Sequence, residues 1–206
     1  MNAYKPVEGD LLFQDLDCGL TCDAIEEVTW GRDSVKFSHI GLVVSDDEGW
    51  KVLEAVSIGV TLTPLHEFLK RSSDKNGNPK VWVGRVKEDY NSILVSLINN
   101  VPDVLGMEYD DEFIYNNGKY YCSELIYDLF KEANHNNAFF ELEPMTFKSL
   151  KTGEFFPVWI EYYQKLNVPI PQDSLGINPA GISRSEKIEI VNKLGDIEER
   201  GYFDMR

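Results

Sequence analysis

The chain has 206 residues, of which 43% are hydrophobic and 12% aromatic, which is enough to build one sizeable core. We predict a single domain over residues 1–206, with its core at about 7–165 and a peripheral C-terminal arm at 166–206. The 35 acidic and 20 basic residues give a formal net charge of -15, which repels phosphate backbones at long range. The composition therefore disfavours nucleic acid as a partner.

The termini and the cysteines bear on the compartment. Residues 1–6 lack the apolar core of a secretory signal, and no run approaches the roughly 18 apolar residues of a membrane span. We predict a cytoplasmic protein without an integral membrane segment, or a periplasmic or cell-surface one if a signal peptide was removed. The count of three cysteines favours free thiols, although Cys18 and Cys22 could be bridged in an oxidising compartment. No histidine stands at a zinc spacing near them, so we predict no metal and no cofactor. The sequence carries no signal for the oligomeric state.

Turn residues and hydrophobic periodicity predict the elements along the chain. The predicted strands are residues 9–14, 37–44, 50–56, 59–62 and 81–86. The predicted helices are residues 23–29, 63–71 and 89–100, the last of which should end at Pro102. A short hairpin should lead from residues 106–110 to the helix that follows Cys122. The aromatic stretch 155–163 is either core or the wall of a substrate cleft.

His39 is a candidate base because a glutamate stands at a suitable offset from it. If residues 37–44 and 50–56 pair as a hairpin, a four-residue loop puts His39 opposite Glu54 and a two-residue loop makes Glu54 its diagonal neighbour on the same face. A three-residue loop would put the two side chains on opposite faces. A buried Glu54 needs a partner, since an unpaired buried carboxylate is costly. The simpler interpretation is a core histidine bonded to backbone and water. His66 and His135 are predicted to lie at the surface.

Cys122 is a candidate nucleophile because of its place at the start of a helix. Residues 116–118 form a turn signal, and apolar side chains then recur at helical spacing from Leu125 to Ala133. Unpaired N–H groups and the helix dipole at that end stabilise a thiolate. Glu124 in the first turn carries a charge that opposes it. The alternative is that Cys122 is one more small residue packed beneath a helix.

These candidates stand in an ordered set of segments that resembles the permuted papain-like hydrolases of the YiiX and YaeF type. The resemblance rests on residues 9–14, 24–29, 37–43, 109–110 and 121–125. It implies an α+β, circularly permuted papain-like fold of the cell-wall peptidase superfamily, in which an antiparallel sheet or barrel packs against the helix that carries the cysteine. Permutation places the histidine before the cysteine, as here.

The resemblance also implies roles for particular residues. Cys122 would be the nucleophile, His39 the general base and then acid, and Glu54 the group that orients the imidazole. Backbone N–H groups at the helix start would form the oxyanion hole. The side chains that are candidates to contact the oxyanion or the substrate are Gln14, Tyr121, Tyr109 and Asp110.

Three functions are compatible with this arrangement. The leading hypothesis is a cysteine hydrolase that cleaves a small peptide or acyl-amide substrate, including a cell-wall peptide, through an acyl-enzyme. The second keeps the nucleophile but acts as an acyltransferase or thioesterase on lipid-like acyl groups, with the aromatic residues 155–163 over the chain. The third is a non-catalytic binding module that retains the cleft.

Overall fold

An antiparallel sheet forms the centre of the molecule in the computed structural model, which describes residues 4–17, 19–29 and 31–197. The strands in chain order are β1 (Leu11–Gln14), β2 (His39–Asp46), β3 (Gly49–Val56), β4 (Gly59–Pro64), β5 (Val81–Val86), β6 (Glu143–Pro144), β7 (Leu175–Gly176) and β8 (Ile188–Lys193). Six of them form one sheet in the order β4-β3-β2-β1-β5-β8, and β6 pairs with β7 alone. All of these pairings are antiparallel.

Seven helices surround the sheet in the described part of the chain. They are α1 (Leu20–Val28), α2 (Leu65–Lys70), α3 (Leu94–Asn99), α4 (Val101–Val104), α5 (Cys122–Ala133), α6 (Pro157–Leu166) and α7 (Pro179–Arg184). Short 3-10 turns occupy Arg32–Ser34 and Glu88–Ile93. None of the helices in these ranges combines the length and the hydropathy that crossing a membrane requires. The α+β class predicted from the sequence is confirmed.

The two faces of the sheet pack against different helices. On one face, Ile40, Leu42 and Val44 of β2 belong to the same buried cluster as the apolar side chains of α5. Burial of each large side chain in such a cluster contributes about 1.5–3 kcal/mol. On the other face, Val43 packs in a second cluster with Phe68 of α2. Strand β2 is thus buried on both faces over its first six residues, as predicted.

Three local predictions differ from the structure. The helix predicted over residues 89–100 is divided into a 3-10 turn, α3 and α4, and Pro102 lies in the first turn of α4, where its missing N–H is not needed. Pro64 ends β4, where it pairs with Lys51, and α2 begins one residue later. The hairpin expected before Cys122 is a single parallel bridge between Tyr109 and Tyr120.

The C-terminal segment is part of the main sheet. We predicted residues 166–206 as a peripheral arm, but β8 is the edge strand beside β5 and Ile188 is buried in the main cluster. The side chain of Arg32 also ties this segment down, because its Nε donates to the carbonyl of Ser183 (2.8 Å) and its Nη2 to that of Ser185 (2.8 Å). The last described residues therefore support the sheet.

Cys22 corrects the prediction of free thiols near α1. It is buried and disulfide-bonded. Cys18, with which a bridge was considered from the sequence, lies outside the described residues. Among the described residues, Cys122 is the free cysteine.

The hairpin of β2 and β3 decides the register on which the site depends. Asp46 pairs with Gly49, so the loop holds only Asp47 and Glu48. Gly49 takes φ +119, a conformation that residues with a Cβ rarely adopt. The two-residue alternative is therefore the correct one, and it places His39 and Glu54 on the same face as diagonal neighbours.

Gly41 allows α2 to approach this face closely. A Cβ at Gly41 would lie 2.4 Å from Val52 Cγ1 and 3.2 Å from Phe68 Cε2. We expect Gly41→Ala to lower the free energy of unfolding by about 1–3 kcal/mol, because the added methyl overpacks the interface. Urea unfolding of the two proteins measures this difference.

Gly181→Ala is the matched control, since a Cβ there meets its nearest neighbour at 3.5 Å, an ordinary contact, within α7. It should leave stability unchanged or raise it by up to about 1 kcal/mol through helix propensity. Equal unfolding midpoints for Gly41→Ala and the wild type would contradict the proposed close packing.

Candidate active site

His39 and Glu54 meet directly. The Nε2 atom of His39 lies 2.6 Å from Oε2 of Glu54, and both residues are buried, His39 at 5% and Glu54 at 0% exposure. His39 is the first residue of β2, so it stands at one end of the sheet. Because Nε2 is occupied by the carboxylate, Nδ1 is the ring nitrogen left for another partner.

That second partner is the Cys122 thiol. Burial by itself lowers the pKa of His39, but hydrogen bonds with Cys122 and Glu54, and the charges of both, outweigh it and raise the pKa from 6.5 to about 9. The imidazole is therefore held in its cationic form at neutral pH, between two groups that can carry negative charge. His66 and His135 are exposed, as predicted, and neither belongs to this arrangement.

Two groups that the sequence analysis did not identify also bind Glu54. Arg71, just beyond α2, donates from Nη1 to Oε2 (2.6 Å) and from Nη2 to Oε1, and the Thr63 hydroxyl donates to Oε1. Burial would raise the pKa of Glu54, but its bonds to His39, Arg71 and Thr63 lower it to about 2. Glu54 is thus an anion throughout the physiological range. The one signal in the sequence was the need for a partner to a buried glutamate.

Cys122 is the first residue of α5. Tyr121 before it is extended (φ -89, ψ 167), so the helix begins at the cysteine itself. Cys122 is 9% exposed and lines a cavity. The first N–H groups of a helix have no partner within it, so they are available near the sulfur.

Glu124 does not carry the opposing charge expected from the sequence. It is fully buried, and burial together with the charges of Asp110 and Asp128 raises its pKa to about 8, although the N–H of Asn116 (2.7 Å) favours the charged form. At neutral pH Glu124 is therefore mostly a neutral acid, and a thiolate two residues earlier meets little repulsion from it.

The other predicted contact residues differ in their surroundings. The Tyr121 hydroxyl accepts from the N–H of Ile177 (3.2 Å), so this side chain braces the cavity wall. Burial, followed by the charge of Cys122, raises the pKa of Tyr109 above its usual range, so this phenol stays protonated. Asp110 is fully buried and accepts from the N–H groups of Glu112 (2.9 Å) and Ile114 (2.7 Å), so it shapes the turn after Tyr109.

Gln14 lies on the α2 side of the sheet. It is fully buried and pairs with His39 across β1 and β2. Its Nε2 donates to the carbonyl of Phe68 (2.9 Å). Its amide group thus supports α2, whose Phe68 ring lies 5.8 Å from the His39 ring.

A largely apolar cavity of about 200 Å³ adjoins Cys122. Its wall includes Ile25 of α1, Phe147, Trp159 of α6 and Ile177, and its charged lining residues among those described are Glu143 and Arg184. Trp159 comes from the aromatic stretch for which core and cleft were both considered. It serves both, because it is 2% exposed and also lines the cavity.

Comparison with known proteins identifies the family. The sequence profile of the YaeF/YiiX family of permuted papain-like amidase enzymes matches residues 5–192. The chain belongs to this family. The permuted papain-like fold that the resemblance implied is confirmed, and the family is one of amidases.

Two relatives are both YiiX proteins of Escherichia coli. An uncharacterised YiiX is 28% identical over 133 residues, which cover 64% of this chain and 60% of that protein. The crystal structure of a YiiX described as a metalloprotein superposes with a TM-score of 0.73 at 24% identity, over 94% of this chain and 100% of that one. Within residues 4–17, 19–29 and 31–197, no three His, Cys, Asp or Glu side chains converge as metal ligands. The donor set does not fit a metal there, so we derive no step through one.

The buried titratable groups predict how stability depends on pH. His39 (6.5 to about 9) and Glu124 (4.5 to about 8) both have raised pKa values, so the folded state binds more protons than the unfolded chain between about pH 4.5 and 9. The free energy of unfolding should therefore fall as pH rises through this window. Glu124→Gln should flatten the fall below pH 8, because glutamine does not titrate but can still accept from Asn116.

Urea unfolding at a series of pH values measures how the free energy of unfolding changes with pH in the wild type and in Glu124→Gln. Glu161→Gln, an exposed position on α6, controls for the loss of one negative charge. A slope in Glu124→Gln equal to that of the wild type would show that Glu124 does not titrate as its burial requires.

Proposed function

We propose that this protein is a cysteine amidase that works through an acyl-enzyme on Cys122. The observation that carries the proposal is the continuous contact from the Cys122 thiol through His39 to the buried Glu54, at the wall of a cavity. A nucleophile, a base and a group that orients the base are the components that this chemistry needs. Membership of an amidase family supports the same reaction class.

The first half of the reaction uses His39 as base and then as acid. Because the imidazole is cationic at neutral pH, its Nδ1 already holds the proton of the thiol, and the Cys122 thiolate attacks the carbonyl carbon of the amide to form a C–S bond and an oxyanion. Glu54 stabilises this imidazolium through Nε2. The tetrahedral intermediate then collapses: its C–N bond breaks, and the imidazolium returns the proton to the departing amine.

Donors for the oxyanion are available at the start of α5. The backbone N–H of Cys122 lies at the positive end of the helix dipole. The Tyr109 hydroxyl is a second candidate, because it stays protonated and the charge of Cys122 is among the causes of its raised pKa. In the second half of the reaction, His39 takes a proton from a water, and the hydroxide attacks the thioester carbonyl. The C–S bond then breaks, the carboxylic acid is released, and the thiolate of Cys122 is regenerated beside the imidazolium.

The cavity supports an apolar acyl group on the substrate. Its wall is mostly hydrocarbon and aromatic, and its two charged residues, Glu143 and Arg184, pair with each other at 3.4 Å. Such a wall stabilises a hydrophobic chain more than a charged peptide. A substrate with an apolar acyl part next to the scissile amide therefore fits better than a charged stem peptide of the cell wall.

The same observation favours a second candidate function. An acyltransferase or thioesterase would form the same acyl-enzyme and also need room for an acyl chain. The two functions differ in the group that Cys122 displaces and in whether water or another nucleophile receives the acyl group. Parallel assays with N-acyl amides and acyl thioesters of the same chain, with and without an added amine or alcohol, separate them.

The nucleophile and the base can be tested before the substrate is known. At pH 7, iodoacetamide should alkylate Cys122 at least about tenfold faster in the wild type than in His39→Ala, since a positioned base contributes about 10²–10⁴-fold to such steps. Mass-spectrometric peptide mapping without reductant identifies the labelled cysteine.

His66→Ala, at an exposed histidine on α2, is the matched control and should react like the wild type. Incubation with N-acyl amides should add the acyl mass to Cys122 in the wild type and not in Cys122→Ala. Equal alkylation rates in the wild type and His39→Ala would remove the basis of the proposal.

The acyl preference should follow the cavity. In a series of N-acyl amides of increasing length, each methylene that enters the cavity should raise kcat/KM about fourfold, the equivalent of about 0.8 kcal/mol. Ile25→Trp should shorten the longest acyl chain for which an added methylene still raises kcat/KM, because Ile25 lines the cavity. Ile160→Trp, at an exposed position on α6, should leave that chain length unchanged. A flat series would show that the acyl group binds elsewhere.

A further inference from the structure

Arg71 makes a two-point contact with the carboxylate that orients His39. Its Nη1 lies 2.6 Å from Glu54 Oε2, the oxygen that also binds His39, and its Nη2 donates to Oε1. The same Nη2 lies 3.3 Å from the Thr63 hydroxyl, which itself donates to Oε1. This planar fork is a geometry that arginine provides and lysine does not.

The polar groups that face Glu54 come from three elements of the described chain. They are His39 of β2, Thr63 of β4 and Arg71 after α2. Two of the three are cationic, so Glu54 carries the one negative charge between two positive ones. With a thiolate at Cys122 the four charges alternate and cancel. With the proton back on the sulfur, the neutral thiol and imidazole leave only the Glu54 and Arg71 charges, which also cancel. Proton transfer between Cys122 and His39 therefore leaves the net charge of the group at zero.

A second buried glutamate shows the effect of acidic neighbours. Glu54 and Glu124 are both 0% exposed, but the charged side chains with the largest effect on the Glu124 pKa are those of Asp110 and Asp128, which are both acidic. The pKa of Glu124 is raised to about 8, whereas that of Glu54 is lowered to about 2. A carboxylate at Glu54 with a raised pKa would compete with His39 for the proton that Cys122 releases.

The surroundings of Arg71 hold its guanidinium in place. It lies 5.4 Å from the centre of the Phe68 ring, and the His39 ring lies 5.8 Å from the same ring. The backbone N–H of Arg71 and the amide of Gln14 both donate to the carbonyl of Phe68. The two cations of the site are thus positioned by the same aromatic residue.

We propose that Arg71 is a positioning residue, which holds Glu54 as a carboxylate in a fixed orientation so that the proton from Cys122 stays on His39. This proposal rests on the function proposed above. It extends the three-residue arrangement to four: Cys122, His39, Glu54 and Arg71.

The test compares a neutral and a charged replacement of Arg71. In Arg71→Gln, which keeps a hydrogen-bond donor and most of the volume, the Glu54 carboxyl should titrate about 1–3 units higher than in the wild type, because a contacting cation lowers a carboxyl pKa by about that amount. In Arg71→Lys the charge remains and the titration should stay closer to the wild type. NMR of proteins labelled with ¹³C at the glutamate carboxyls, assigned with Glu54→Gln, measures both.

The matched control is Arg85→Gln. Arg85 also forks a fully buried carboxylate, that of Asp10 (2.7 and 3.0 Å), on another part of the sheet. Loss of either fork should lower the melting temperature, but only Arg71→Gln should move the Glu54 titration. Arg71→Gln should also raise the pKa of the acid limb in the pH profile of kcat/KM for an N-acyl amide by a similar amount. Arg71→Lys should restore that pKa in part. If the Glu54 carboxyl titrates alike in Arg71→Gln, Arg71→Lys and the wild type, the proposal is overturned.

The carboxyl titration does not depend on turnover, so the two proposals fail separately. An unreactive Cys122 together with a shifted Glu54 titration would overturn the amidase proposal and leave the charge coupling intact. A reactive Cys122 that His39→Ala slows, together with an unshifted Glu54 titration, would overturn only the role of Arg71.

Discussion

The buried carboxylate of Glu54 is the constraint on which the rest of the site depends. A fully buried anion is costly unless cations and hydrogen-bond donors surround it. Here the donors come from both neighbouring strands and from the segment after α2, so the carboxylate joins three parts of the fold around one point. The same bonds orient the His39 ring and leave its Nδ1 for the thiol. The bonds that stabilise the buried Glu54 carboxylate are thus the same bonds that position His39.

The sulfur of Cys122 stands where two environments meet. On one side is the charged group of His39, Glu54 and Arg71. On the other side is an apolar cavity. Its wall is formed by α1, α6 and the segment around Ile177. Tyr121 and Ser123, on either side of Cys122, both bond to the backbone of Ile177. The cavity wall is therefore tied directly to the helix that begins at Cys122.

The likeness to the YiiX crystal structure extends over 94% of the chain at 24% identity, so it is a likeness of fold. The contacts of Cys122, His39, Glu54 and Arg71 in this chain are what support the proposed chemistry. The contacts of a residue also decide its charge. Two glutamates with equal burial, Glu54 and Glu124, have pKa values displaced in opposite directions. Burial alone does not decide the protonation of a group; its partners do.

The sequence by itself determined the features that local periodicity carries: the buried strand of His39 and the helix that begins at Cys122. It left open whether the loop between β2 and β3 held two, three or four residues, and therefore whether Glu54 lies on the face of His39. It also expected C-terminal residues outside the sheet that instead supply β8. Only the tertiary structure brought Arg71 to Glu54 and closed the cavity beside Cys122. Those contacts join residues far apart in the chain, and they depend on how α2 and α6 pack against their neighbours, which no local pattern specifies.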